Sequence, residues 1–312
     1  MNLSDIYICA LRKLDGFNSD NILRAIELAN NDVVETLDDF IDFINFNIED
    51  NRFANITQPF KEELIKKTVE KVLKNKDDLV HYVCPTDSSF SKKMPIEQTP
   101  SLWKYKGNLE NLKRKTILVT GSPTVSDNAR LASEYIGRIM ALEGYNILST
   151  FSNECEQKAI MGCKDAKGVS TFFLPHSIEH LTSKEIDVIQ NELDSERSLI
   201  ISAYDNTLPN ILTIENAYNN TMALADCMVI PQISDSDNII GFVKKYLESD
   251  KPVFLVKYKT KKIKEYDCIK ALESLGVMYV SSKTVYKQIK DTIGEAIVDE
   301  LADNVALPDL LD

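Results

Sequence analysis

No CxxC pair occurs in this chain, and its six cysteines (Cys9, Cys84, Cys155, Cys163, Cys227 and Cys268) lie far apart. That spacing excludes a zinc knuckle and a dense disulfide framework, and it fits a reducing cytoplasm. A long apolar run is missing too. The N-terminus reaches Asp5 before a six-residue stretch, Ile6–Leu11, too short and wrongly flanked for a signal peptide, and no later stretch approaches the 18 residues of a membrane span. The expectation is a soluble cytoplasmic protein with no membrane attachment. An excess of positive charge is likewise absent: 48 acidic against 36 basic side chains leave a formal charge of −12. Both halves are acidic when the chain is divided at Leu112. A polyanion binder coated in positive charge is thereby excluded, and any nucleic-acid contact must be local. Neither GxGxxG nor GxxxxGK[ST] is present, which argues against NAD-dependent enzymes and P-loop NTPases.

What is there is a chain of 312 residues, 44% apolar and 27% charged, long enough for two domains with sizeable cores. Residues 1–83 read as a small helical domain. Ile6, Cys9, Ala10 and Leu14 recur at helical spacing, Gly16 breaks the pattern, and Ser19 or Asp20 can cap Asn21–Ala29. The turn around Gly16 has the size of a helix-hairpin-helix or SAM-like unit, which either packs or holds a phosphate. Residues 84–113, interrupted by Pro85, Pro95 and Pro100, read as a connecting arm. From 114 to 282, β-rich runs at 116–120, 146–150, 170–174, 198–202, 227–231, 253–257 and 277–280 alternate with helical segments. That alternation predicts an α/β, Rossmann-like, doubly wound and mainly parallel sheet. Residues 283–312 read as one amphipathic helix through Ile289, Ile293, Ile297 and Leu301, followed by an acidic tail.

The first strand runs into Gly121-Ser122-Pro123-Thr124-Val125-Ser126-Asp127 and then a helix. Backbone amides and the positive helix end therefore face the carboxyl edge of the sheet, an anion site by geometry. Ser126 serves either as N-cap or as direct ligand. At the next strand end, Ser149-Thr150-Phe151-Ser152-Asn153-Glu154-Cys155-Glu156 sets hydroxyls and carboxylates where a doubly wound sheet binds its ligand. The same residues also make a helix start, with Ser152 or Asn153 as cap and the two glutamates in the first turn. No histidine lies near Cys155 to activate it, and no catalytic residue is assigned. His176 and His180 are four apart, but Pro175 and the missing HExxH glutamate argue against a metal, and no cofactor is expected. Lys257-Tyr258-Lys259-Thr260-Lys261-Lys262-Ile263-Lys264 is the one concentrated basic-aromatic segment, suited to a short single strand of nucleic acid or to a solvated loop.

The order of these parts resembles the DNA-processing protein A (DprA/Smf) family. Pro100, Leu102, Tyr105, Gly107 and Asn108 resemble its P-x-x-L-x-x-x-G-N arm, and Val119-Thr120-Gly121-Ser122 resembles its V-G-[ST]-R strand end. Ser149 begins its S-G-x-A-x-G-I-D stretch, with Glu156 in place of the aspartate, and Gly168 with 170–174 resembles G-x-T-I-A-V-L. Leu224-Ala225-Asp226 resembles L-S-D, and Ser236 opens the segment that reads S-G-S-L-I-T-A. The resemblance covers residues 1 to about 280 and implies non-catalytic binding of single-stranded DNA, homodimerisation through the Rossmann domain, and delivery to the recombinase RecA. Several family positions differ. The arginine is Pro123, two glycines are Thr150 and Glu154, the histidine is roughly Ile160, an arginine pair is Ala217 and Asn219, and another glycine is Asp237. These exchanges are expected to weaken or relocate DNA binding.

The candidate phosphate contacts are Gly121, Ser122, Ser126, Ser149, Ser152, Asn153, Ser236 and Asn238, with Lys257, Lys259, Lys261 and Lys262 as the relocated basic set. Two other readings use the same fold: a nucleotide-sensing protein with its pocket at 121–126, 149–153 and 234–238, and an interaction protein whose ligand site has decayed.

Overall fold

Side-chain caps punctuate the N-terminal helices where the sequence offers them. Ser4 accepts from the Tyr7 amide to start α1 (Asp5–Leu11), and Thr36 and Asp39 form a capping box at α3 (Leu37–Glu49); at α2 (Ser19–Ala29) the cap is Asn18, which accepts from the Asn21 amide, so Ser19 and Asp20, expected as caps, lie inside the first turn. The fourth helix, α4 (Glu62–Lys74), buries Ile65, Val69 and Val72. These helices belong to the first of two units in a computed structural model that describes residues 3–32, 34–74, 80–83, 103–183, 185–187, 196–204, 208–233, 239–258, 272–281 and 284–296. The first unit comprises Met1–Asp87 with Pro100–Tyr105, the second Ser88–Thr99 with Lys106–Asp312.

In the first unit, Tyr7 stacks on Phe40 at 4.3 Å between ring centroids, joining α1 to α3. The turn at Gly16 takes φ +86° and is tied from within: Asn21 Nδ2 donates to the carbonyls of Gly16 and Ala54 at 3.0 and 2.9 Å. Two strands follow that the sequence reading does not anticipate. β1 (His81–Val83) pairs antiparallel with β2 (Trp103–Gly107), setting Tyr82 opposite Lys104. Local pattern cannot disclose such a pairing, because the partners are separated by a proline-bearing stretch and each strand is short.

The second unit is built on parallel strands in the order β6-β5-β4-β3-β7-β8-β9. They are β3 (Thr116–Val119), β4 (Asn146–Ser149), β5 (Val169–Phe173), β6 (Ser198–Ser202), β7 (Cys227–Ile230), β8 (Val253–Val256) and β9 (Met278–Val280). The chain moves outward from β3 to β6, returns to β7 beside β3, and continues to β9, so the order reverses between β3 and β7. Right-handed crossovers then lay α5 (Asp127–Leu142) and α6 (Glu154–Asp165) on one face, and α7 (Ile211–Leu224) and α8 (Ile239–Leu247) on the other. Burial on both faces is why β3 to β8 are mainly apolar, with short polar side chains such as Ser170 and Thr171 buried among them.

The α5–α6 contact is made backbone to backbone. A Cβ on Gly137 would stand 2.0 Å from the Ala159 carbonyl oxygen, and one on Gly162 would stand 1.9 Å from that of Glu134. Only glycine permits this approach, which holds the two helix starts against the edge where β3 and β4 end.

The C-terminal segment departs from the sequence expectation. α9 (Val285–Ile293) ends at Gly294, φ +82°, and the Lys115 ammonium caps the Ile293 carbonyl. A glycine in the left-handed region supplies the stop that fourfold apolar spacing conceals. Ile297 and Leu301 lie outside the described residues.

Candidate functional site

The carboxyl ends of β3 and β7 flank the point where strand order reverses, the usual ligand crevice of such a sheet. Here the two ends touch. The Thr120 amide donates to the Val229 carbonyl and the Ser122 amide to the Gln232 carbonyl, both at 3.0 Å. A Cβ at Gly121 would lie 2.5 Å from that Gln232 oxygen and 2.8 Å from Cys155 Sγ, so the glycine is required by close approach within the protein.

The start of α5 is filled by side chains. Gln232 Oε1 accepts from the Ser126 amide at 3.0 Å and from its hydroxyl at 2.7 Å, while Ser126 Oγ caps the Ala129 amide. Glu154 Oε2 accepts from the Val125 amide at 3.1 Å and from Arg130 Nε at 3.0 Å, and Arg130 Nη2 reaches the other oxygen at 3.2 Å. The Val125 amide, with the Arg130 guanidinium adding to it, holds the Glu154 carboxyl below its ordinary range. A carboxylate of the protein therefore occupies a position where amide, helix end and guanidinium all favour negative oxygen.

Two residues further on, Glu156, in the first turn of α6, is fully buried against the residues that follow β4. Its Oε1 accepts from Thr120 Oγ1 at 2.8 Å, Asn153 Nδ2 at 2.7 Å and Tyr218 OH at 2.8 Å. Oε2 accepts from the Thr150 amide at 2.7 Å, Thr150 Oγ1 at 2.8 Å and Ser149 Oγ at 3.3 Å. These six donors satisfy a charge that burial would otherwise make costly. Tyr218, from α7 on the opposite face, crosses the end of β3 to reach it. Burial, and next the charge of Glu156, push its phenol well above the ordinary value. Burial also raises the Cys155 thiol to about 12, which leaves it without useful thiolate.

The residues singled out by sequence fall into three groups. Gly121, Ser122 and Ser126 line the β3 end, and Ser149, Asn153 and Ser152 the β4 end. Within these, Asn153 Oδ1 also caps α6 through the Glu156 amide, and Ser152 is exposed with its hydroxyl 2.8 Å from Thr150 Oγ1. Lys257 stands exposed at the end of β8, its ammonium 5.3 Å from the centroid of the Tyr279 ring, and Tyr258 OH donates to the Pro231 carbonyl. Ser236, Asn238, Lys259, Lys261 and Lys262 lie outside the described residues. His176 is buried while His180 is exposed, and the described residues contain no group of three or more His, Cys, Asp or Glu arranged to hold a metal. No helix among them is long and apolar enough to cross a membrane. Sequence reasoning missed Gln232, Arg130 and Tyr218. Their roles depend on contacts across 106, 24 and 62 residues, for which no local pattern exists.

Fold and edge together define a Rossmann-like α/β protein with a glycine-led turn after its first core strand and with the β3 and β7 ends hydrogen-bonded to each other where the strand order reverses. The family model for DNA recombination-mediator protein A matches residues 81–290, and the chain belongs to that family. Among solved structures, DNA processing protein A from Streptococcus pneumoniae matches with a TM-score of 0.58 at 17% identity, covering 92% of this chain and 99% of that one. A structure of DNA processing protein A from Helicobacter pylori, concerned with its single-stranded DNA binding mode, matches with a TM-score of 0.58 at 16% identity, covering 68% and 97%. No curated protein sequence matches this one.

Proposed function

We propose that this chain is a non-catalytic recombination mediator that binds single-stranded DNA through the Lys257 end of the sheet, leaving the β3–β4 end as an internally satisfied structural hub. The family match over residues 81–290 carries the reading. Its location is supported by contrast. The amides at the start of α5 already face Glu154 and Gln232, whereas Lys257 is exposed beside Tyr279, and the sequence continues with Lys259, Lys261 and Lys262. Lysines neutralise phosphates and a tyrosine face accepts a base, so such an end tracks a single strand in a protein that is acidic elsewhere. The full account has the protein acting in the cytoplasm as a homodimer that passes the strand to a RecA-type recombinase. No catalytic step is assigned, because Glu156 has no unpaired oxygen and the Cys155 thiol stays protonated.

Fluorescence anisotropy with a labelled oligonucleotide at about 50 and 200 mM salt tests the proposal: affinity falls as salt rises, and falls again in Lys257→Glu. Absence of binding at the lower salt overturns it. One observation favours a second reading, as a protein that holds a protein partner instead. Leu208, Ile211 and Leu212, at the start of α7, are 68%, 80% and 65% exposed. Failure with every oligonucleotide, together with loss of a captured protein in Ile211→Asp, selects that reading. Occupation of the β3 end by Gln232 and Glu154 disfavours the nucleotide-sensing alternative.

A further inference from the structure

We propose that His176 and Glu185 form a proton-operated latch that fastens the Ser177 turn after β5 to Thr182 and Glu185 while the imidazole carries both of its protons and releases it when one is lost. The pair lies apart from the β3–β4 hub and from Lys257. His176 is 2% exposed and Glu185 6%. The imidazole Nδ1 lies 2.9 Å from the Ser177 carbonyl oxygen and Nε2 lies 3.0 Å from Glu185 Oε1. A carbonyl oxygen can only accept, and an ionised carboxylate can only accept, so the ring satisfies both partners only as the imidazolium, with N–H on each side. Glu185 is held in its ionised form from the other direction: Oε2 accepts from the Thr182 amide at 2.6 Å and the Thr182 hydroxyl at 2.7 Å.

The groups bonded to His176, two at its ring and one at its backbone carbonyl, come from three places. Its own turn supplies the Ser177 carbonyl, the segment after the 3-10 turn Ile178–His180 supplies the Glu185 carboxylate, and β6 supplies Ser202, whose hydroxyl donates to the His176 carbonyl at 2.7 Å. Of these, Glu185 alone is charged. Ser202 Oγ in turn accepts from the Tyr204 amide, and Tyr204 OH donates to the Thr213 carbonyl in α7. The imidazolium thus ties the Ser177 turn to Glu185, while the His176 backbone carbonyl separately receives the end of β6, along the carboxyl edge where partners of such sheets dock.

Burial opposes the charge on His176, but the hydrogen bonds to Glu185 and Ser177 outweigh it and raise its pKa above the ordinary 6.5. Burial likewise opposes Glu185, and the bonds from His176 and Thr182 outweigh it to bring its pKa below 4.5. The latch is complete between those two ordinary values. As pH rises, its contribution is lost through the raised value of His176; as pH falls, it is lost through the lowered value of Glu185. The alkaline limb lies nearer to physiological conditions.

Nitrogen NMR of the full-length 15N-labelled protein tests this. The three histidines are told apart with His81→Gln and His180→Gln, which leave the pair untouched. His176 is expected to show two protonated nitrogens at pH 6.5 and to titrate above it. Over the same titration, amide protection at Thr182, corrected for intrinsic exchange, falls about tenfold for each unit by which His176 exceeds 6.5. In Glu185→Gln, His176 titrates below 6.5 and Thr182 protection no longer follows it. A neutral His176 at pH 6.5 in the wild-type protein, or Thr182 protection indifferent to its titration, overturns the proposal. Both are read on the wild-type chain, so a Glu185→Gln variant that fails to fold does not protect the idea.

Discussion

Two ends of one sheet edge answer the same problem differently. At the β3–β4 end, amides and hydroxyls converge on the protein's own carboxylates: Glu156 takes six hydrogen bonds in full burial, and Glu154, a third exposed, takes the Val125 amide and the Arg130 fork. At the β8–β9 end, Lys257 is exposed beside Tyr279, and among the described residues no carboxylate is hydrogen-bonded to its ammonium. Donors preorganised around negative oxygen do not by themselves mark a ligand site. An internal anion satisfies them equally well, and being covalently tethered it forgoes the association entropy that a ligand must overcome.

The sharpest way to break this comparison is to remove the buried anion. Glu156→Ala leaves several donors unpaired in a dry site and is expected to cost on the order of 3–5 kcal/mol in urea unfolding. A loss below about 1 kcal/mol would mean that water replaces the carboxylate and that the β4 end is an open site after all. Next in size is the scaffold beneath it. Gly162→Ala brings a Cβ to 1.9 Å from the Glu134 carbonyl oxygen, and the forced separation of α5 from α6 costs roughly 1–3 kcal/mol, read as a lower melting temperature.

Glu154→Ala sharpens the contrast between the two glutamates. Partial exposure makes its stability cost smaller than that of either preceding variant, while release of Arg130 and the Val125 amide raises oligonucleotide affinity and steepens its salt dependence. Equal destabilisation by Glu154→Ala and Glu156→Ala would erase the distinction. The smallest effect is at the other end: Lys257→Ala lowers the salt slope for a single-stranded oligonucleotide by about 0.7, with the melting temperature unchanged.

Much of the fold was legible because its parallel strands are buried on both faces and announce themselves as apolar runs. The run expected at 198–202 is β6, and those expected at 116–120 and 146–150 each end one residue later than the observed strand. β1 and β2 were not legible, since neither three nor five residues carry a pattern and their pairing joins distant segments. At the edge, Asn153 could be read as a cap because capping is a property of neighbours in sequence. Thr120, Tyr218, Gln232 and Arg130 could not be placed, because what each does is decided by a partner brought in from another strand or helix.

By itself the order of residues determined the α/β class, the helical start, the caps Ser126 and Asn153 of α5 and α6 and the scattered negative charge, all of which follow from local periodicity and composition. Only the tertiary structure decided what the amides after β3 would face. Nothing in the spelling of Glu154, Glu156 or Gln232 distinguishes a ligand-seeking carboxylate or amide from one turned inward. That choice depends on the approach of α5 and α6 at Gly137 and Gly162 and on the meeting of the β3 and β7 ends at Gly121, which bring those side chains within hydrogen-bonding distance of the edge.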